Sequence, residues 1–280
     1  MYQFCHSREE IFHSSACGDY RIQLCWPDET PPQQGWPVIY LLDGASHFPI
    51  AEHLMRTLAH PRCGMTPGVV VAIDYPDGSR RERDYRPAVQ QLTPEASPHG
   101  GWYPPGMAGQ SDAFLAFIRQ ELKCRVGEWL AIDRQREALF GHSYGGLFTL
   151  NTLFTRSDSF SHYYASSPSV WWNDGYISKV AAHFARQPTL QQPSVLFLSV
   201  GEYEQSLQRW ELGLAEEERV TLTRHRRQRR MVDGIRELAW TLQAGAITDL
   251  QLELFIHADQ SHQSVSMLAL QKAFMHHFQR

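Results

Sequence analysis

The chain has no apolar run approaching the roughly 18 residues needed to cross a bilayer, so no membrane partner is expected. Its first ten residues, Met1 to Glu10, carry no basic n-region, no apolar h-region and no small-residue cleavage site, which points to a cytoplasmic location. Basic residues are not in excess: 26 Lys and Arg stand against 30 Asp and Glu, a net charge of -4, the opposite of a nucleic-acid-binding footprint. The five cysteines, Cys5, Cys17, Cys25, Cys63 and Cys124, are odd in number, scattered and never in C-x-x-C spacing. That excludes a disulfide framework and a zinc-ribbon site, and leaves them as reduced packing residues. There are 14 histidines but no H-E-x-x-H, and the adjacent pair His276-His277 would lie about 100° apart on a helix. No metal and no cofactor is therefore expected. Internal repeats and linker-like stretches are lacking too, so residues 1–280 read as a single catalytic domain.

What is present is an alternation of strand and helix patterns. Residues 20–26 alternate polar and apolar, as a strand with one buried face does. Val38-Ile39-Tyr40-Leu41-Leu42, Val69-Val70-Val71-Ala72-Ile73 and residues 195–200 are continuous apolar runs, the pattern of parallel strands covered on both faces. Residues 250–256 close the series. Between them lie helix-like stretches at 48–58, 111–122, 178–186 and a long one at about 224–242. The expected architecture is α/β, a doubly wound, mostly parallel sheet with helices on both faces. The Pro/Gly-rich span at about 87–109, with Trp102 and Tyr103, is expected to be irregular, and a loop of that length is usually a lid or binding loop.

The segment Gly141-His142-Ser143-Tyr144-Gly145-Gly146 is the densest signal. A short apolar run precedes it and a longer one follows, so Ser143 reads as a nucleophile on a tight strand-to-helix elbow, with Gly141 and Gly145 accommodating the crowding. A serine hydroxyl needs a base and an orienting group, which in this arrangement follow later in the chain in the order acid, then histidine. After the strand at 195–200 come Glu202 and Glu204; after the strand at 250–256 come His257 and His262. His262 is favoured as base because the turn after Asp259 gives it reach, and Glu204 is favoured over Glu202 as acid. The backbone amides of Tyr144 and Ala45, the latter in the loop Asp43-Gly44-Ala45-Ser46, are the expected oxyanion donors.

With these residues in place the chain resembles the putative-esterase branch of the α/β-hydrolase fold, and within it the siderophore esterases that open enterobactin-type trilactones. The matching pieces are residues 38–44, 83–87, 112–117, 141–148 and 165–172. The resemblance implies a carboxylic-ester hydrolase with Ser143 as nucleophile, His262 as base and Glu204 at the acid position, working as a triad or as a Ser-His dyad. Ala45 stands where siderophore members often carry Asn. The same branch includes esterases for small acyl, thioester and feruloyl-type esters, and a non-catalytic ligand-binding homologue is the reading from another class.

The expected partner is thus a small-molecule ester, with an iron-siderophore first among them; the sequence does not set the oligomeric state. A ferric tris-catecholate is aromatic and carries about three negative charges, so its site should combine cations with aromatic surface. Arg80, Arg81, Arg83 and Arg86 follow the strand at 69–73, and Arg83, Tyr85 and Arg86 are the candidates there, with Trp171 and Trp172 as a pocket wall. Local pairs such as Arg83-Asp84 could instead anchor a loop. The basic run at 224–230 follows three glutamates and reads as a solvated helix face.

Overall fold

In the computed structural model, which describes residues 6–95, 97, 101–103 and 106–279, the apolar runs become interior strands of one sheet. Its strands are β1 (Ser7–Ser14), β2 (Gly18–Cys25), β3 (Trp36–Leu42), β4 (Val69–Asp74), β5 (Ile132–His142), β6 (His162–Ser166), β7 (Ser194–Gly201) and β8 (Leu250–His257). They are ordered β1-β2-β4-β3-β5-β6-β7-β8. The first two neighbouring pairs, β1-β2 and β2-β4, are antiparallel and every later pair is parallel. The helices are α1 (Gly44–Leu58), α2 (Arg81–Tyr85), α3 (Ser111–Phe117), α4 (Lys123–Trp129), α5 (Tyr144–Thr155), α6 (Trp172–Arg186), α7 (Glu216–Arg229), α8 (Met231–Ala244) and α9 (Val265–His277), with a π-helical turn at Ile118–Leu122 joining α3 to α4.

Because side chains alternate along a strand, β3 feeds two cores. Val38, Tyr40 and Leu42 join Phe114, Leu150 and Ile235 from α3, α5 and α8 on one face. Ile39 and Leu41 join Phe48, Met55, Leu270 and Phe274 from α1 and α9 on the other. Each such fully buried side chain contributes about 1.5–3 kcal/mol by leaving water. This is the doubly wound α/β-hydrolase architecture expected from the sequence. The parallel strands deliver their C-terminal ends to one rim, where ligands of such sheets bind.

The helix boundaries depart from expectation in three places. Asp43 is left-handed (φ 55, ψ 58) and α1 begins at once at Gly44, so the expected loop 43–46 is mostly first helical turn. The helix expected at 178–186 begins at Trp172, with Asn173, Asp174 and Gly175 left-handed inside it. The single helix expected over 224–242 is two: Arg230, at φ 47 and ψ 42, ends α7 and opens α8. Strands β1 and β6 were not legible as runs. Cys25 is buried as a packing residue, whereas Cys63 and Cys124 are exposed free thiols. No helix of the described residues is long and apolar enough to cross a membrane.

Candidate active site

Strand β5 ends at His142 and α5 starts at Tyr144, leaving Ser143 alone on the turn at φ 59, ψ -115. That conformation is sparsely populated for a side-chain-bearing residue and lifts the hydroxyl clear of the sheet rim. A Cβ at Gly141 would lie 2.2 Å from the Gly145 carbonyl oxygen and 2.8 Å from Thr149 Oγ1, and one at Gly146 would lie 2.9 Å from Pro168 Cα and from Ser166 O. Gly145 has more room, its nearest neighbour being Leu42 Cδ1 at 3.4 Å. The crowding therefore falls on Gly141, against the Gly145 carbonyl, and on Gly146, against Pro168 and the Ser166 carbonyl. Backbone bonds tie the elbow to the loop after β6: Ser143 N–H donates to Ser166 O (2.9 Å) and Ser169 N–H to Ser143 O (3.2 Å). Ser169 Oγ lies 3.4 Å from Ser143 Oγ.

The loops after β7 and β8 are stitched together. Tyr203 N–H donates to Gln260 O at 2.9 Å, and Asp259 N–H donates to Glu202 Oε2 at 2.9 Å. A Cβ at Gly201 would be 2.5 Å from Gln260 O. This junction brings His262 Nδ1 to 2.6 Å from Glu204 Oε2. The other oxygen of Glu204 accepts from Gly201 N–H (2.8 Å) and from the Ser167 hydroxyl (2.5 Å). A carboxylate can only accept, so Nδ1 of His262 carries the proton and Nε2 is left as a basic lone pair. Of the two glutamates weighed, Glu204 meets the histidine and Glu202 holds the turn beneath it. His257 ends β8 on the face of Ser166, Phe255 and Lys272, away from this junction.

Around the elbow, His142 lies against His262 with ring centroids 4.6 Å apart and the planes tilted by 42°, and its Nδ1 lies 3.0 Å from Ser166 Oγ. Burial first, then the neighbouring His262, His47 and Arg81, hold its imidazole well below the ordinary pKa, so it is neutral. Arg81 reaches both oxygens of Asp43 (2.9 and 3.1 Å) and the carbonyl of His142 (3.3 Å). Burial works against its charge, but Asp43 outweighs burial and raises its pKa. Arg81 was not among the predicted site residues; it belonged to the basic cluster, but nothing in sequence order singled it out.

The amide of Ala45 differs from expectation. As the second residue of α1 it donates to Asp74 Oδ2 at 2.7 Å, because a carboxylate at the end of β4 caps a helix that has no side-chain cap of its own. The Tyr144 amide opens α5, where first-turn N–H groups have no partner within the helix.

Beside the elbow is a cavity of about 700 Å³, with Tyr144 in its wall. Arg86, Trp171 and Trp172 line it, as expected, together with Trp102, Tyr103 and Arg229. Arg86 is 5% exposed; it is bonded to Glu82 and to Met107 O and lies 5.1 Å from the Tyr144 ring. Arg229 pairs with Glu95 and lies 4.3 Å over Trp171. The 224–230 run is thus not wholly a solvated face, and Arg229 is a lining residue that the charge pattern concealed. Arg83 and Tyr85 do not line this cavity. Arg83 anchors Asp84 (2.7 Å) and Cys17 O (3.2 Å), and Tyr85 is fully buried between Tyr75, Phe114 and Phe148. Residues 96, 98–100, 104 and 105 of the expected 87–109 loop lie outside the described residues. No cluster of three or more His, Cys, Asp or Glu able to hold a metal occurs among the described residues.

The family model described as putative esterase matches residues 14–235. Among curated proteins, the ferri-bacillibactin esterase BesA of Bacillus subtilis is 38% identical over 194 residues, 66% of either chain and so just under two thirds of that protein. The siderophore enterobactin esterase of Emericella nidulans is 34% identical over 275 residues, covering 92% of this chain and 89% of its own. Among solved structures, siderophore hydrolase EstA from Aspergillus nidulans superposes with a TM-score of 0.83 at 33% identity, covering 97% of this chain and 93% of its own.

Proposed function

The chain belongs to the putative esterase family, and from that premise we propose that it is a serine esterase that opens the ester bonds of siderophores, with Ser143 as nucleophile. Ser143 Oγ attacks the ester carbonyl carbon while His262 Nε2 takes its proton. The carbonyl π electrons move onto oxygen, then return as the C–O bond to the leaving alcohol breaks, and the imidazolium protonates that alcohol. Water repeats the sequence on the acyl-enzyme, releasing the carboxylic acid and restoring Ser143. Glu204 orients His262 and offsets its transient charge. The Tyr144 amide is one oxyanion donor, and Ala45 supplies the second once its amide leaves Asp74. Each donor is worth about 3 kcal/mol in the transition state.

The single observation that carries this reading is the 2.6 Å contact of His262 Nδ1 with a carboxylate that two further donors already fix in place. The siderophore assignment is supported by the relatives' names and by a cavity that offers Trp171, Trp172 and Tyr144 beside Arg86 and Arg229. Aromatic faces suit catecholate rings and guanidinium groups suit their oxygens. Arg83 and Tyr85 act indirectly, by holding α2 so that Arg86 meets the cavity.

The test compares wild-type protein with Ser143→Ala on enterobactin and on a p-nitrophenyl ester, following products by chromatography. Wild type should release linear dihydroxybenzoyl-serine products, and the variant should release none above background. Turnover retained by the variant overturns the role of Ser143; turnover of the simple ester alone overturns the siderophore assignment.

A further inference from the structure

A second groove runs along α7, distinct from the cavity beside the elbow. No residue of α7 is buried, yet its arginines are used differently. Arg226 pairs with Glu211 and Arg229 with Glu95, both reaching other parts of the chain. Glu216, Arg219, Val220, Thr223, Arg224 and Arg227 instead line an open groove of about 660 Å³. Their three- and four-residue steps make one continuous stripe down the helix.

Among the described residues the guanidinium groups of Arg219, Arg224 and Arg227 have no ion-pair or hydrogen-bond partner, and Nε of Arg219 is shielded from solvent without one. Arg224 and Arg227, three residues apart on the same face, repel each other. Against three arginines the groove sets one glutamate. A helix that neutralises Arg226 and Arg229 and leaves Arg219, Arg224 and Arg227 converging unpaired on one groove is built to receive charge from outside. Gln228 lines both this groove and the cavity beside the elbow, so the two adjoin.

We propose that the α7 groove is a second anion-binding site, taking a multiply charged ligand with paired oxygen donors, of the ferric tris-catecholate class, before it passes to the cavity. The planar fork of Arg matches adjacent oxygens two at a time. Capture beside the active site raises the local concentration of anionic substrate without touching the chemistry. The identity of the anion rests on the siderophore reading above; the site itself does not.

The test therefore uses a probe that cannot be hydrolysed, the ferric complex of free 2,3-dihydroxybenzoate, titrated calorimetrically into wild type and into Arg219→Gln/Arg224→Gln/Arg227→Gln. Glutamine keeps helix propensity, and thermal melting verifies the fold. Should the triple variant unfold, the single exchange Arg224→Glu is titrated instead. The variant should lose one binding event, or at least tenfold in affinity, relative to wild type, and the wild-type event should weaken steeply with salt. On a neutral p-nitrophenyl ester its kcat/KM should stay within twofold, while on ferric enterobactin it should fall about tenfold. Identical titrations for both proteins, or no binding to wild type, overturn the proposal. Absence of enterobactin turnover by wild type removes the siderophore reading instead, and leaves the binding result standing on its own.

Discussion

The imidazole of His142 lies against that of His262 at 4.6 Å between centroids, tilted by 42°. His142 is the neutral partner, half-buried and bonded to Ser166, so it works as a wall against the ring of His262. His142→Ala should lower kcat about tenfold with KM unchanged, since small misplacements of a base are costly. The acid limb of the pH-rate profile should not move, because no charge is removed. His142→Phe, which restores a ring, should recover most of the loss. An equal defect in both variants would transfer the effect from the ring to the bond with Ser166.

Glu204 and Glu202 are two residues apart and do different jobs. Glu204→Gln keeps the shape but presents an amide to His262 Nδ1, which disturbs the tautomer and removes the counter-charge. A fall in kcat of about 10² to 10⁴ is expected. Glu202→Gln weakens only the bond to Asp259 N–H and should stay within about fivefold. Steady-state rates on a p-nitrophenyl ester decide, and the reverse ranking would exchange the assignments.

Ser143 holds a strained backbone for the sake of its position. Ser143→Gly should relieve part of that strain and raise stability by about 1 kcal/mol while abolishing turnover. Ser143→Ala should be equally inactive with stability unchanged. Urea melts of the two variants distinguish strain from side-chain loss.

Six imidazoles titrate below their ordinary range, each through burial first: His47, His142, His257, His276, His277 and His162, the last pushed down to about 4. In the unfolded chain all six take protons as pH drops below about 6.5, whereas the folded state resists. The unfolded state then binds more protons, so stability is full above that pH and declines as pH falls toward 4. The melting temperature should be flat from pH 7 to 8 and fall steadily from 6.5 to 4.5. A rise on acidification would contradict the burial argument.

What could be read from residues alone follows from which physics leaves a local trace. The two-sided burial of β3, β4 and β7 writes continuous apolar runs, and the elbow writes glycines, so both were visible. β6, His162–Ser166, is five residues with polar ends and is buried only by its neighbours. The break at Arg230 uses an arginine in a left-handed conformation, with neither Gly nor Pro to announce it. The arginine cluster was placed correctly at the rim, but its members could not be aimed. Once residues 81–85 coil into α2, Arg81 and Tyr85 share a face beneath the elbow, Glu82 and Arg86 face the loop at Met107, and Arg83 turns back to Cys17. Orientation of that kind exists only after the turn forms.

The missing Cβ of Gly201 has a mechanical result. With the chain after β7 in contact with Gln260 and bonded to it through Tyr203, the segments carrying the carboxylate and the imidazole behave as one rigid body. Any breathing at the rim changes the distance from that body to Ser143 and leaves the carboxylate-imidazole spacing as it was. On the proposed roles, the approach of the imidazole to the serine can vary while its contact with the carboxylate stays the same.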